Sequence, residues 1–136
     1  MQSIREYLKQ NPGRADEVMN QNESYVFFAD IGGDGPVGSQ GVVLTAGRSI
    51  AIDRQYIPHS APLWIDTMAP VSAGTGEEPL QRLVIAQDTG GAILGPVRAD
   101  VYFGGDDAAA DLAGRMKGTG RYFLLLPTAA AARLGE

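Results

Sequence analysis

Hydrophobic and polar positions alternate along this chain with two different periods. Near the N-terminus the period is helical: Ile4 and Leu8 stand four apart, and Ser3 with Glu6 three residues on has the form of a capping box. Asn11-Pro12-Gly13 stops that helix and opens a second one. There Asn11 is the expected cap, Pro12 lies in the first turn, and Ala15, Val18 and Met19 form the buried side. From residue 25 the pattern becomes one of short apolar runs divided by glycine and proline. Residues 25–28, 42–44, 49–52, 63–65, 83–86, 97–103 and 121–126 read as strands, the last one apolar enough to be buried on both faces. Trp64, between Leu63 and Ile65, is expected in the core, with a sugar-stacking platform as the alternative.

Between the strands, residues 31–41 form a glycine-rich loop and residues 68–79 a long loop suited to a rim. Asp106 or Asp107 caps a helix running to about residue 117, with Ala109, Leu112, Ala113 and Met116 on its packed side and Gly118 as its stop. The alanine-rich end reads as a frayed helix. Regular strand–helix alternation is absent, which favours a small closed or semi-closed barrel over a doubly wound sheet.

Length and composition narrow the function. The 136 residues suit one domain, and a formal net charge of -5 without any basic run argues against nucleic acid as a partner. There is no cysteine, so disulfides, thiolate metal sites and a cysteine nucleophile are out. No apolar run approaches the roughly 18 residues of a membrane span, and the N-terminus lacks a signal peptide's pattern; for an exported protein the targeting segment is expected outside this sequence. His59 is the only histidine, too little for a familiar zinc set or a triad, and no Gly-x-Ser-x-Gly elbow occurs. The glycine-rich loop has neither the Lys-Ser/Thr of a phosphate loop nor a helix directly after it, so it reads as structural or substrate-lining.

Candidate chemistry gathers in residues 83–105. A strand ends in Asp88, the Gly90-Gly91 and Gly95-Pro96 turns follow, and Asp100 sits among Ala99, Val101 and Tyr102. Those neighbours predict partial desolvation of Asp100, which would favour its protonated form and fit it to donate to a leaving oxygen. The other reading of such aspartates is an Asx-turn bonded to its own backbone.

Three segments, SIAIDRQYIP around Asp53, LVIAQDTGGAILG around Asp88 and VRADVYFG around Asp100, resemble the three-aspartate signature of the 3D domain. The wider run, from SIREYLKQNPGRADEVMNQNESYVFF through GPVGSQGVVLTAGRS to RYFLLLP, resembles the C-terminal part of the membrane-bound lytic transglycosylase A (MltA) family. The resemblance implies a mainly β fold, a double-psi β-barrel like those of barwin and the family-45 endoglucanases. Residues 25–136 would form the barrel, and residues 1–24 a helical segment packing on it. It implies peptidoglycan cleavage between N-acetylmuramic acid and N-acetylglucosamine with a 1,6-anhydromuramic product, without cofactor or metal. Asp100 would be the acid/base of the catalytic pair with Asp88, while Asp53, Thr89, Gly90, Gly91 and Ala92 bind substrate or support the site. The implied setting is the periplasm or outer membrane of a Gram-negative bacterium, with glycan strands as partner.

Two departures from the family pattern stand out. Leu94 replaces a lysine common after GGAI, and the chain is expected to begin after both the family's inserted second domain and the part of the barrel ahead of it. Self-association to complete the barrel or groove, a non-catalytic glycan-binding barrel and an inactive fragment are the corresponding alternatives.

Overall fold

A computed structural model describes residues 2–24, 27, 32–72 and 74–134. The chain divides into two compact units, residues 1–32 and 33–136. In the first, α1 (Gln2–Gln10) is followed by a 3-10 turn (Pro12–Arg14) and α2 (Ala15–Met19). Ser3 lies inside α1 and not ahead of it, so the capping box does not form; Glu6 instead accepts from Gln10 Nε2 at 3.1 Å. Asn11 does not cap the second helix with its side chain. It donates to the Tyr7 carbonyl at 2.9 Å and so satisfies a terminal acceptor of α1. Ala15 and Val18 are half-buried, whereas Met19 is exposed, against expectation. Of the strand expected at residues 25–28, positions 25, 26 and 28 lie outside the described residues.

The second unit is built on one five-stranded sheet: β1 (Ser49–Ile52), β2 (Pro62–Pro70), β3 (Glu77–Asp88), β4 (Ala99–Val101) and β5 (Gly120–Leu124), in the order β4-β1-β3-β2-β5. β1 runs parallel to β3, and the other pairs are antiparallel. Three short helices flank it: α3 (Asp107–Arg115), α4 (Thr128–Ala131) and a 3-10 turn (Ala132–Leu134). The architecture is mainly β with peripheral helices, as expected.

The long loop expected at residues 68–79 is mostly strand. β2 and β3 pair from Pro62↔Ile85 to Pro70↔Glu77, leaving only residues 71–76 to turn. Proline is compatible here because β5 pairs with β2 only as far as Thr67, and β1 with β3 only from Ile85 on. Pro70 and Pro79 therefore sit where the hairpin is two-stranded, and a missing N–H on the open side costs no ladder bond.

Alternation on the strands makes the core. Ile50, Ile52, Leu63 and Val84 are fully buried, and Ile57, Ile65, Leu80 and Ala86 pack with them. Each such aliphatic side chain contributes about 1.5–3 kcal/mol by leaving water. The same alternation turns Trp64 away from Leu63 and Ile65, so it is 42% exposed and not a core residue. β5 is likewise not buried on both faces: it is an edge strand with β2 as its one neighbour, and Phe123, Leu124, Leu125 and Leu126 are all exposed. Asp106 caps α3, accepting from Ala109 N at 2.7 Å, and the helix ends at Arg115, after which Met116 turns extended and packs on the core.

Candidate active site

β1 lies between β4 and β3, and one of its residues meets both acidic positions. Ala51 pairs with Asp100 on β4 and with Asp88 on β3. The second pairing depends on an irregularity: Ile50 faces Ala86, but Ala51 faces Asp88, so Gln87 is bulged out of the ladder. A bulge of this kind re-aims the side chain that follows it. Ser49 Oγ donates to Gln87 Oε1 at 2.5 Å, which puts Ser49, Gln87 and hence Ala51 on one face. Register partners project to the same side, so Asp100, Ala51 and Asp88 form a row across three strands, its ends roughly 10 Å apart by strand spacing. The methyl group of Ala51 is the only side chain between the two carboxyl groups in that row.

Asp88 is held from a distance. Its Oδ1 accepts from the backbone N–H of Ser39 at 2.9 Å, and Thr89 Oγ1 donates to Ser39 Oγ at 2.9 Å. His59, half-buried rather than freely exposed, brings Nε2 to 3.4 Å from the same hydroxyl. The glycine-rich loop thus has the structural role that was one of its two expected readings, although the strand at residues 42–44 shrinks to one bridge, Val37↔Val43. Gly38 allows the approach: a Cβ there would lie 2.4 Å from the Gln87 carbonyl oxygen. Nothing local in the sequence marks Gly38 or Ser39 as part of this site.

Asp53, at the end of β1, is buried and serves as a clamp. Oδ2 accepts from Gly95 N at 2.8 Å and Oδ1 from Gln55 N at 2.9 Å, and these N–H donors, Gly95 first, hold its carboxyl below the ordinary aspartate value. The Asx-turn reading therefore fits Asp53 and not Asp88. This clamp ties the segment joining β3 to β4 back onto β1. Within that segment Gly90 is crowded by Ile93, whose Cδ1 would lie 2.9 Å from an added Cβ, while Gly91 faces open space and Ala92 is exposed.

Asp100 departs from expectation. Its side chain is 50% exposed, not desolvated, and it accepts from Arg98 Nε at 2.8 Å and Arg98 Nη2 at 3.4 Å. Arg98 was legible as a neighbour, since residues two apart in a strand share a face. The pair opens on a cavity of about 700 Å³ lined also by Val101, Phe103, Met116 and Lys117, between β4 and the approach to β5. Both strands are edges of the sheet, and the Tyr122 hydroxyl donates to the Pro96 carbonyl across the same region. Burial raises the Tyr122 pKa. Among the described residues no cluster of three or more histidine, aspartate and glutamate side chains could hold a metal. The site thus offers one accessible carboxylate, a second fixed as an acceptor by a backbone amide, and a wide opening of mixed character, in which Arg98, Asp100 and Lys117 stand beside Val101, Phe103 and Met116.

Residues 48–126 match the 3D domain family, and residues 1–29 match the MltA specific insert domain. The second match corrects the expectation that the inserted domain lies wholly ahead of this sequence. The membrane-bound lytic murein transglycosylase A of Vibrio cholerae is 34% identical over 110 residues, covering 80% of this chain and 30% of that protein. The crystal structure of MltA from Neisseria gonorrhoeae superposes with a TM-score of 0.80 at 48% identity, over 93% of this chain and 31% of that one. The structure of E. coli MltA with bound chitohexaose gives a TM-score of 0.79 at 29% identity, over 92% and 38% respectively. The sheet has the fold of these structures and corresponds to an open half of the double-psi β-barrel anticipated above. The chain spans about a third of the length of the relatives it matches.

Proposed function

This chain belongs to the 3D domain family, and from that membership we propose that it carries the carboxylate site of a peptidoglycan lytic transglycosylase. The observation behind this reading is the ladder row Asp100–Ala51–Asp88, which sets the two carboxyl groups on one face of the sheet, with Asp100 also lining an open cavity. Protonated Asp100 gives its proton to the glycosidic oxygen as the bond from the muramic anomeric carbon to that oxygen breaks. The resulting carboxylate takes the proton of the muramic C6 hydroxyl, whose oxygen closes onto the anomeric carbon. Asp100 is thereby reprotonated and no water is consumed. Because the nucleophile is part of the same sugar, one acid/base group suffices. Asp88, anchored by Ser39, orients the substrate, and Asp53 supports the loop that carries Thr89, Gly90 and Gly91. Arg98 leaves Asp100 when glycan fills the cavity.

Glycan strands are the partner this chemistry requires, and the chitohexaose bound by the E. coli relative supports the same ligand class. The relatives' description as membrane-bound supports a periplasmic or outer-membrane setting; no helix among the described residues is long and apolar enough to cross a membrane. The edges of β4 and β5 beside the cavity favour a second reading, in which the chain binds glycan without cleaving it until another strand or another copy pairs there.

Mass spectrometry of soluble products from purified peptidoglycan separates these readings. Muropeptides lighter by one water than hydrolysed ones, lost in Asp100→Asn, are the expected result. Ordinary reducing ends would replace the lyase with a hydrolase, and co-sedimentation with peptidoglycan without product would leave a binding barrel.

A further inference from the structure

We propose that the outer face of the β3-β2-β5 half of the sheet is a second saccharide-binding surface, distinct from the Asp88 and Asp100 site, with Trp64 and Phe123 as its stacking rings. Leu83, Trp64 and Phe123 are register partners on three adjacent strands, and they are 41%, 42% and 48% exposed. They form one flat row roughly 10 Å across. Two residues along each strand, on the same face, lies a polar row of Gln81, Asp66 and Arg121. That row is already wired: Gln81 Nε2 donates to Asp66 Oδ1 at 2.8 Å, and Arg121 Nη2 to Asp66 Oδ2 at 2.7 Å. The guanidinium also stands over the Phe123 ring, 5.7 Å from its centre, which links the polar row to the aromatic one.

This pairing of rows has the chemistry of a pyranose. A β-linked sugar presents a flat face of C–H groups and a rim of equatorial hydroxyls and amides. The aromatic row accepts the face, and the ordered donors and acceptors beside it accept the rim. A second protein copy fits less well. Leu83, Trp64, Phe123 and Leu125, each less than half exposed, offer on the order of 300 Å² of apolar surface, well under the roughly 800 Å² per partner of a stable interface.

The platform lies on the same side of the sheet as the carboxylates, because Leu83, Ile85 and Gln87 alternate onto the side that Ser49 and Ala51 occupy. Five residues of β3, roughly 17 Å, separate Leu83 from Asp88. The identity of the polymer rests on the proposed function; the stacking itself does not require cleavage.

Trp64 is the only tryptophan of the chain, so its emission reports this surface directly. Titration of the whole protein with chitohexaose should give a saturable blue shift. The shift should persist in Asp100→Asn and need about tenfold more sugar in Phe123→Leu, which keeps apolar area but removes the ring. Calorimetric titration of Trp64→Leu, with folding checked by circular dichroism, should show the same weakening. Emission unmoved at millimolar sugar would overturn the proposal, as would a shift abolished by Asp100→Asn, or one that follows protein concentration together with dimer formation in sedimentation. Peptidoglycan cleavage with a silent Trp64 sinks the platform alone; a responsive Trp64 without cleavage product sinks the lyase reading alone.

Discussion

At the ends of β1 and β3, acidic side chains are held by backbone amides from distant loops, whereas on β2 and β5 the polar side chains are held by one another. Asp88 is bound by Ser39 and Asp53 by Gly95, partners far away in sequence, and β1 between them is buried along its whole length. Asp66 is bound by Gln81 and Arg121, its neighbours across the ladder, on a face that stays open. Positions held by remote backbone are set by the whole fold and tolerate little change. Positions held by cross-strand side chains need only the register, and they keep an exposed surface available for contact.

That contrast breaks most sharply at Ile50. Ile50→Ala empties a fully buried site between β4 and β3, and chemical denaturation should show a loss of about 3 kcal/mol. Gly38→Ala should cost about 2 kcal/mol in the same measurement, because the new methyl group meets the Gln87 carbonyl and pushes the loop from β3. Gly91→Ala, facing open space, is the matched control and should stay within about 0.5 kcal/mol.

Acid sharpens the comparison. Asp53 and Asp66 both have lowered pKa values, Asp53 through the N–H groups of Gly95 and Gln55, Asp66 through Gln81 and then Arg121. A carboxylate with a lowered folded-state pKa contributes stability that is present above the unfolded value of about 3.9 and is lost as pH falls through the folded value. Melting temperature should therefore drop below about pH 4, and less steeply in Asp53→Asn. High salt should weaken the part due to Asp66, whose Arg121 partner is solvent-exposed, and spare the part due to backbone amides around Asp53. A small effect is expected on the open half: Phe123→Ala should change stability by under about 1 kcal/mol while altering sugar binding.

Much of the fold was legible because local chemistry and tertiary setting agree. Ser49–Ile52 is an apolar run closed by Asp53, and Asp106 is a cap ahead of a helical stripe; both stand where expected. The failures have particular causes. Pro70 and Pro79 look like breakers, yet each lies where the hairpin has an open side. The alternation around Trp64 is real, but it places the ring opposite Leu63 and Ile65 and so outside the core. The apolar content of residues 121–126 cannot reveal that β5 has one neighbour. In the site, the three-aspartate motif marks Asp53, Asp88 and Asp100 without showing that the first is a buried clamp, or that the third is ion-paired to Arg98. Nor does any local pattern announce Ser39, whose contact with Asp88 exists only once the glycine-rich loop folds over β3.

The bulge at Gln87 separates two kinds of length variation. Asp88 and Asp100 meet through Ala51 and not through the connecting segment, so residues added at the tip around Gly91 leave their juxtaposition intact. Removing one residue from the end of β3 changes the parity of the strand and sends a different side chain to the carboxylate row. Homologous or redesigned chains are thus free to vary that tip, while the count of residues entering it from β3 is not negotiable.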